Sequence, residues 1–251
     1  TKSELFVVMT SGMATISGAI LVVFAAMGVP AQHLLACSVM SIPTSIMIAK
    51  IIIPTEKEKS DTVLEVENME PSSANMFDAI AKGTSDGLWL SLNVGAMLIT
   101  FVGLLYMVNT FIAYSCYMFN YIPAYFEAAW RLPELSLRDI FGQVLKVFGY
   151  LLGFTGEEAV QAGSLLGTKI VANEFLAYKD LINMGLSERA TNIMTYVLCG
   201  FSNFSCIGIQ IGGIGVLVPE RRRWLTELGI YAVIGGTLSN LCSAMVASLL
   251  L

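Results

Sequence analysis

The feature that most restricts this chain is a set of stretches with no Asp, Glu, Lys or Arg: Leu5–Ala26, Leu34–Ala49, Gly87–Phe126, Ala190–Pro219 and Leu228–Leu251. An α-helix crosses the hydrocarbon of a bilayer in about 20 mostly apolar residues, and in that medium each backbone N–H and C=O must be paired within the segment. Such stretches predict an all-α integral membrane protein. Composition agrees, since 13% of the 251 residues are charged and the mean hydropathy is +0.71, whereas soluble domains carry about 25% charged residues.

The net charge of -5 excludes a nucleic-acid partner, because no basic stripe is available to neutralise phosphates. Most of the imbalance sits between Glu56 and Asp86, which hold eight acidic residues against three lysines in a segment that reads as a solvated linker. The five cysteines stand singly inside apolar runs, as small buried residues do, and not in the pairs of a disulfide or zinc framework. Thr1-Lys2-Ser3-Glu4 leads straight into an apolar run without the basic start and cleavage site of a signal peptide, so the opening reads as the middle of a protein.

In chain order, residues 1–53 hold a first span and a second with Pro43 inside it, and 54–86 form the acidic linker. Residues 87–130 predict a helix to about Tyr114 and then an interfacial aromatic belt of Tyr114, Tyr117, Tyr121, Tyr125 and Trp130. Residues 131–153 contain a short amphipathic helix at Ser136–Phe141. In 154–182, Thr155-Gly156-Glu157-Glu158 has the form of a capping box, which accounts for both glutamates, and Gly167-Thr168-Lys169 stops the helix after two to three turns. A second short helix from about Asn173 to Leu181 makes this a re-entrant hairpin. Residues 186–251 supply an interrupted span and the last span. His33, at the mouth of the second span, reads as a solvated interfacial imidazole. Arg221-Arg222-Arg223 marks a cytoplasmic loop, which puts the amino end and the linker inside and the hairpin entering from outside.

Two stretches echo each other: Gly12-Met13-Ala14-Thr15-Ile16-Ser17 and Gly200-Phe201-Ser202-Asn203-Phe204-Ser205. The first is either a small-residue packing face or a helix break. Glycine-interrupted helices in corresponding positions of two inverted halves point to a transporter site, where freed carbonyls meet a cation and freed amides a polar solute. Thr15 and Ile16 offer oxygens suited to Na⁺, whereas Asn203 and Ser205 offer hydrogen bonds and Phe201 a stacking face. Asn173 and Glu174 are strong acceptors in an apolar setting, and one carboxylate can accept both vicinal hydroxyls of a sugar. The competing explanation for Glu174 is an ion pair with Lys169 or Lys179, although five-residue spacing is poor on a helix.

Gly167-Thr168-Lys169-Ile170-Val171-Ala172-Asn173-Glu174-Phe175-Leu176-Ala177-Tyr178 resembles the G-x-K-x-x-x-N-E-F-x-A-Y signature of the concentrative nucleoside transporter family. Ser3-Glu4-Leu5 with Met9-Thr10-Ser11-Gly12 is similar to that family's fourth helix, and Gly200–Ile209 to its seventh. The resemblance implies an inverted-repeat, elevator-type homotrimer in the bacterial inner membrane, coupled to Na⁺ or, in some members, H⁺. It also implies that Glu174 and Asn203 bind ribose, that Phe201 contacts the nucleoside, that Thr15 and Ile16 lie at the cation site, and that Ala19 and Ile20 lie near the base.

Two departures accompany the resemblance. Cys206 stands where the family usually has a second serine, and a thiol is a weaker hydrogen-bond partner than a hydroxyl. The chain also begins at the fourth helix, without the family's first re-entrant hairpin, so it is expected to hold the ribose-binding half of a site and not to transport alone. A membrane-embedded nucleoside-binding or gating module that does not transport actively is the alternative. No organic cofactor is expected, nor enzymatic activity, because the only histidine is far in sequence from Ser205 and Glu174 and no nucleophile–base pair can be proposed.

Overall fold

The structure, a computed structural model, describes residues 1–55, 74–125, 132–133 and 135–251. Among these there are ten α-helices: α1 (Lys2–Ala14), α2 (Gly18–Ala26), α3 (Ala31–Ile52), α4 (Met76–Tyr125), α5 (Leu137–Leu151), α6 (Gly156–Val171), α7 (Glu174–Asn183), α8 (Glu188–Leu198), α9 (Phe204–Leu217) and α10 (Arg222–Ser248). Among the described residues, four candidate spans are long and apolar enough to cross a membrane: Lys2–Ala26, Ala31–Ile52, Val102–Tyr121 and Pro219–Ser248.

The first span is broken. Thr15–Ser17 is extended between α1 and α2, and the Ser17 hydroxyl caps α2 by accepting from Ile20 N at 3.4 Å. Cys199–Asn203 likewise separates α8 from α9, where Asn203 is the cap. Counting from the two caps pairs Ser17 with Asn203, so the six-residue echo is out of register by two positions. Gly12 is a packing residue inside α1, where a Cβ would lie 2.9 Å from Gln210 Nε2, whereas Gly200 lies in the interruption itself.

Helix α4 overturns the expected boundary near residue 86. It begins at Met76 and runs unbroken through the aromatic segment to Tyr125. No proline precedes Pro123 in it, and the hydroxyls of Thr84, Ser91, Thr100, Thr110 and Ser115 all bond back to the carbonyl four residues earlier. Isolated glycines cost only about 1 kcal/mol each and do not stop so long a helix. Its 50 residues extend about 75 Å, more than twice the hydrocarbon thickness. The greater part of the proposed linker and Trp130 lie outside the described residues.

The expected short helix at Ser136–Phe141 is longer, and it is packed. Ser136 and Asp139 form a capping box that opens α5, which runs antiparallel to α6 in backbone contact. A Cβ at Gly149 would lie 2.6 Å from Ala159 O, and one at Gly163 2.5 Å from Gly142 O. Gly167 belongs to this seam, since its Cβ would lie 2.6 Å from that of Phe141. It therefore does not end the helix, and α6 continues to Val171 before Ala172 turns the chain. At the other end, Thr155 makes no side-chain cap bond. Gly156 follows at φ 57°, outside helical geometry, and Glu158 accepts from Ser187 N at 3.4 Å instead.

Helix α10 packs against α1, α3, α8 and α9 and contributes to two apolar clusters. In one, Phe24 lies 4.4 Å from the Tyr178 ring, whose hydroxyl donates to Thr195 O. The other gathers Phe6, Met9 and Met13 against Leu225 and Leu228. His33 is not simply solvated, because its Nδ1 lies 3.1 Å from the Tyr196 hydroxyl and links α3 to α8.

Candidate substrate cavity

The starts of α7 and α9 meet at one cavity of about 510 Å³. Each helix starts there because an asparagine caps it: Asn173 Oδ1 accepts from Leu176 N at 2.9 Å, and Asn203 Oδ1 from Cys206 N at 2.9 Å. Helix starts present unpaired N–H groups and the positive end of the macrodipole. A carboxylate is favoured there, and Glu174 is the first residue of α7.

Asn203 connects the two elements. Its Oδ1 also accepts from the Ser205 hydroxyl at 2.6 Å, while Nδ2 donates to Glu174 Oε2 at 3.0 Å. Because the backbone N–H of Cys206 requires an acceptor, the amide has only one orientation, with its NH₂ toward the carboxylate. Glu174 and Asn203 are 7% and 1% exposed, so both are held by protein yet line the cavity. A carboxylate has about four lone-pair sites, and Asn203 uses one, which leaves acceptor capacity on a residue that lines the cavity.

Of the residues expected to meet a solute, the cavity brings together Asn173, Glu174, Phe201 and Asn203. Ser205, Cys206 and Ile20 complete that set. Ala19 is not among the lining residues and is exposed. Neighbours on a helix point about 100° apart, and it is Ile20 that the first turn of α2 turns toward the cavity. Phe175 and Ile209 also line the cavity and were not singled out from the sequence. Phe175 follows the acid on α7, and its signal was a large aromatic beside a buried charge.

Thr15 and Ile16 lie in the other interruption and do not line this cavity. The Thr15 hydroxyl donates to Ser11 O at 2.9 Å. Its oxygen is thereby left as an acceptor, the state in which a hydroxyl ligates a hard cation. Lys169 is not the ion-pair partner of Glu174. Its Nζ donates to Val197 O and to Asn240 Oδ1, each at 2.8 Å. Asn240 is not among the residues expected at the site, and its signal in the sequence is a lone carboxamide in the charge-free last span.

The family described as "Na+ dependent nucleoside transporter C-terminus" matches residues 33–248. The chain is 41% identical over 253 residues to the uncharacterized transporter YutK of Bacillus subtilis, covering 99% of this chain and 60% of that protein. It is 38% identical to the nucleoside permease NupC of Helicobacter pylori, covering 98% and 57%. The structure of CNTnw in an inward-facing substrate-bound state superposes with a TM-score of 0.78 at 35% identity, covering 99% of this chain and 57% of that one. The chain thus spans about 60% of the length of these relatives. The matched residues include the interrupted helix α8–α9, while α1–α2 precedes residue 33 and falls within the near-complete coverage of the relatives. On these grounds the chain belongs to the Na⁺-dependent nucleoside transporter family and corresponds to its C-terminal part.

Proposed function

We propose that this chain carries the ribose-binding half of the site of a cation-coupled nucleoside symporter, with Na⁺ rather than H⁺ as the coupling ion. The observation that carries this reading is the buried Glu174 carboxylate, oriented by Asn203 on the wall of the 510 Å³ cavity. That volume is within the range of about 300–1,000 Å³ in which small-molecule sites fall. The two vicinal hydroxyls of ribose donate to Glu174, Asn203 and Ser205 hold the geometry, and Phe201 and Phe175 provide faces for the rest of the solute. Hydrogen bonds to an ionised acceptor contribute about 1.5–3 kcal/mol each, so a nucleoside lacking these hydroxyls binds weakly.

Na⁺ is taken up as co-substrate at the interruption between α1 and α2, where the Thr15 hydroxyl and the carbonyls of Thr15 and Ile16 are hard oxygen ligands. The hairpin of α6 and α7 enters the membrane from outside. It moves with the two interrupted helices as one elevator unit, in inverted orientation to the part of the relatives that this chain does not span. Helix α4 is the scaffold on which a homotrimer assembles in the bacterial inner membrane, with the Arg221–Arg223 loop in the cytoplasm.

Uridine uptake into proteoliposomes that hold this chain joined to the N-terminal part its relatives carry tests the reading. An inward Na⁺ gradient is expected to drive accumulation above equilibrium, and replacing Na⁺ with choline to abolish it. Accumulation driven by a pH gradient without Na⁺ would transfer the coupling role to H⁺. Equilibration without accumulation would favour a binding or gating module.

A further inference from the structure

Away from the cavity, one carboxamide touches both interruptions. Asn240 of α10 is fully buried, and its Nδ2 donates to Ala14 O at 2.8 Å and to Cys199 O at 2.7 Å. Its Oδ1 accepts from Lys169 Nζ at 2.8 Å. Both amide protons and the amide oxygen are therefore used, and a cationic donor on one side with carbonyls on the other allows only this orientation. Lys169 is also fully buried, and its second bond goes to Val197 O in the last turn of α8. An unpaired buried amine of this kind costs several kcal/mol. Here it is met by the negative, carbonyl-bearing end of a helix and by the Asn240 oxygen.

The two carbonyls that Asn240 grips are placed alike. Ala14 ends α1 and is followed at once by Thr15–Ser17, while Cys199 caps the end of α8 and leads into Gly200–Asn203. The interruptions also meet directly, since a Cβ on Gly200 would lie 2.5 Å from Asn240 Oδ1 and 2.8 Å from Ala14 O. A rotation of the peptide plane after Ala14 cannot occur without changing its bond to Asn240. The same NH₂ group holds Cys199 O, and four residues further on Asn203 orients Glu174.

We propose that Asn240, anchored by Lys169, is the positioning residue that couples the two interruptions, so that a cation bound after Ala14 aligns Asn203 and Glu174 for the nucleoside. This rests on the symport reading above. A residue that only supports the fold would weaken both ligands without changing how each affects the other. A coupling residue changes that mutual effect, which is equal in both directions by thermodynamic necessity.

The experiment is a pair of binding titrations on the detergent-purified protein: uridine with and without saturating Na⁺, and Na⁺ with and without uridine. Asn240→Asp keeps the acceptor for Lys169 and the side-chain size but loses both donors. The factor by which Na⁺ tightens uridine binding is expected to fall about tenfold, toward one, with the same fall in the reciprocal titration. Weaker binding of both ligands with an unchanged factor would overturn the coupling role. A wild-type protein whose uridine affinity ignores Na⁺ would overturn the symport reading itself. Should the variant fail to fold, hydrogen exchange of the wild type decides: Na⁺ without nucleoside is expected to slow amide exchange across 199–206, and no change there would refute the proposal.

Discussion

Between α1 and α2 the chain is interrupted for three residues, Thr15, Ile16 and Ser17, none of them buried; between α8 and α9 the interruption covers five, 199–203, of which four are buried. The first is held more lightly, by the Asn240 bond to Ala14 O, the Thr15 hydroxyl on Ser11 O and a 3.4 Å cap from Ser17. The second is tied at several points: Cys199 O to Asn240, Asn203 to Glu174, and Ser205 and Cys206 N to Asn203. A monatomic cation needs only oxygens that can close around it, whereas a solute with fixed hydroxyl directions gains from partners already in place. On the proposed function, the contrast teaches that one span-breaking device serves two ligands by differing in how firmly the break is held.

The strongest way to break this comparison is Glu174→Gln, which keeps the shape and removes the charge from the firmly held side. Uridine affinity at saturating Na⁺ is expected to fall about 100-fold, the loss of one or two charge-assisted hydrogen bonds, and an unchanged Kd in a binding titration would dissociate the cavity from the nucleoside. Gly200→Ala comes next. Its Cβ would meet Asn240 Oδ1 at 2.5 Å and the Ala14 carbonyl at 2.8 Å, so a loss of about 1–3 kcal/mol is expected, seen as a lower melting temperature. Gly12→Ala, which meets only the far end of Gln210 at 2.9 Å, is expected to cost less.

A smaller effect is expected on the lightly held side. Thr15→Val removes a hydroxyl at nearly constant shape and is expected to raise the half-saturating Na⁺ concentration about fivefold, the equivalent of about 1 kcal/mol. Uridine affinity at saturating Na⁺ stays as it was, and a loss confined to uridine binding would reverse the roles assigned to the two interruptions. Cys206→Ser is the mildest. Its backbone N–H already serves the Asn203 cap, so exchanging thiol for hydroxyl leaves uridine binding unchanged or a few-fold tighter. A large loss would mean that the thiol itself is a contact.

Much of this organisation was legible in the sequence because its causes are local. Glu174 and Asn203 stood out since polar groups in apolar stretches are costly, and both are in fact buried and joined at 3.0 Å. The interruptions were legible from glycine and hydroxyl residues in charge-free spans. Their register was not, because the helix starts at whichever polar side chain reaches the backbone N–H three residues ahead, and that was Ser17 in one case and Asn203 in the other. Gly167 was misread for a related reason. A glycine is a stop or a packing notch depending on what lies against it, and Phe141 lies against this one.

The sequence by itself determined that the protein is helical and membrane-embedded, that the stretch 190–219 is interrupted by polar residues with a candidate break in the first span, and that its C-terminal nucleoside-transporter signature centres on Glu174. Periodicity, charge exclusion and capping act over a few residues, and all three can be seen along the chain. Only the tertiary structure decided which partners those residues take. Lys169 meets Asn240, 71 positions away, and not Glu174 five positions away. Asn240 in turn meets Ala14, 226 positions away, and Cys199, 41 away. A buried donor must find an acceptor wherever the packed helices bring one within about 3 Å, and no local pattern encodes where that will be.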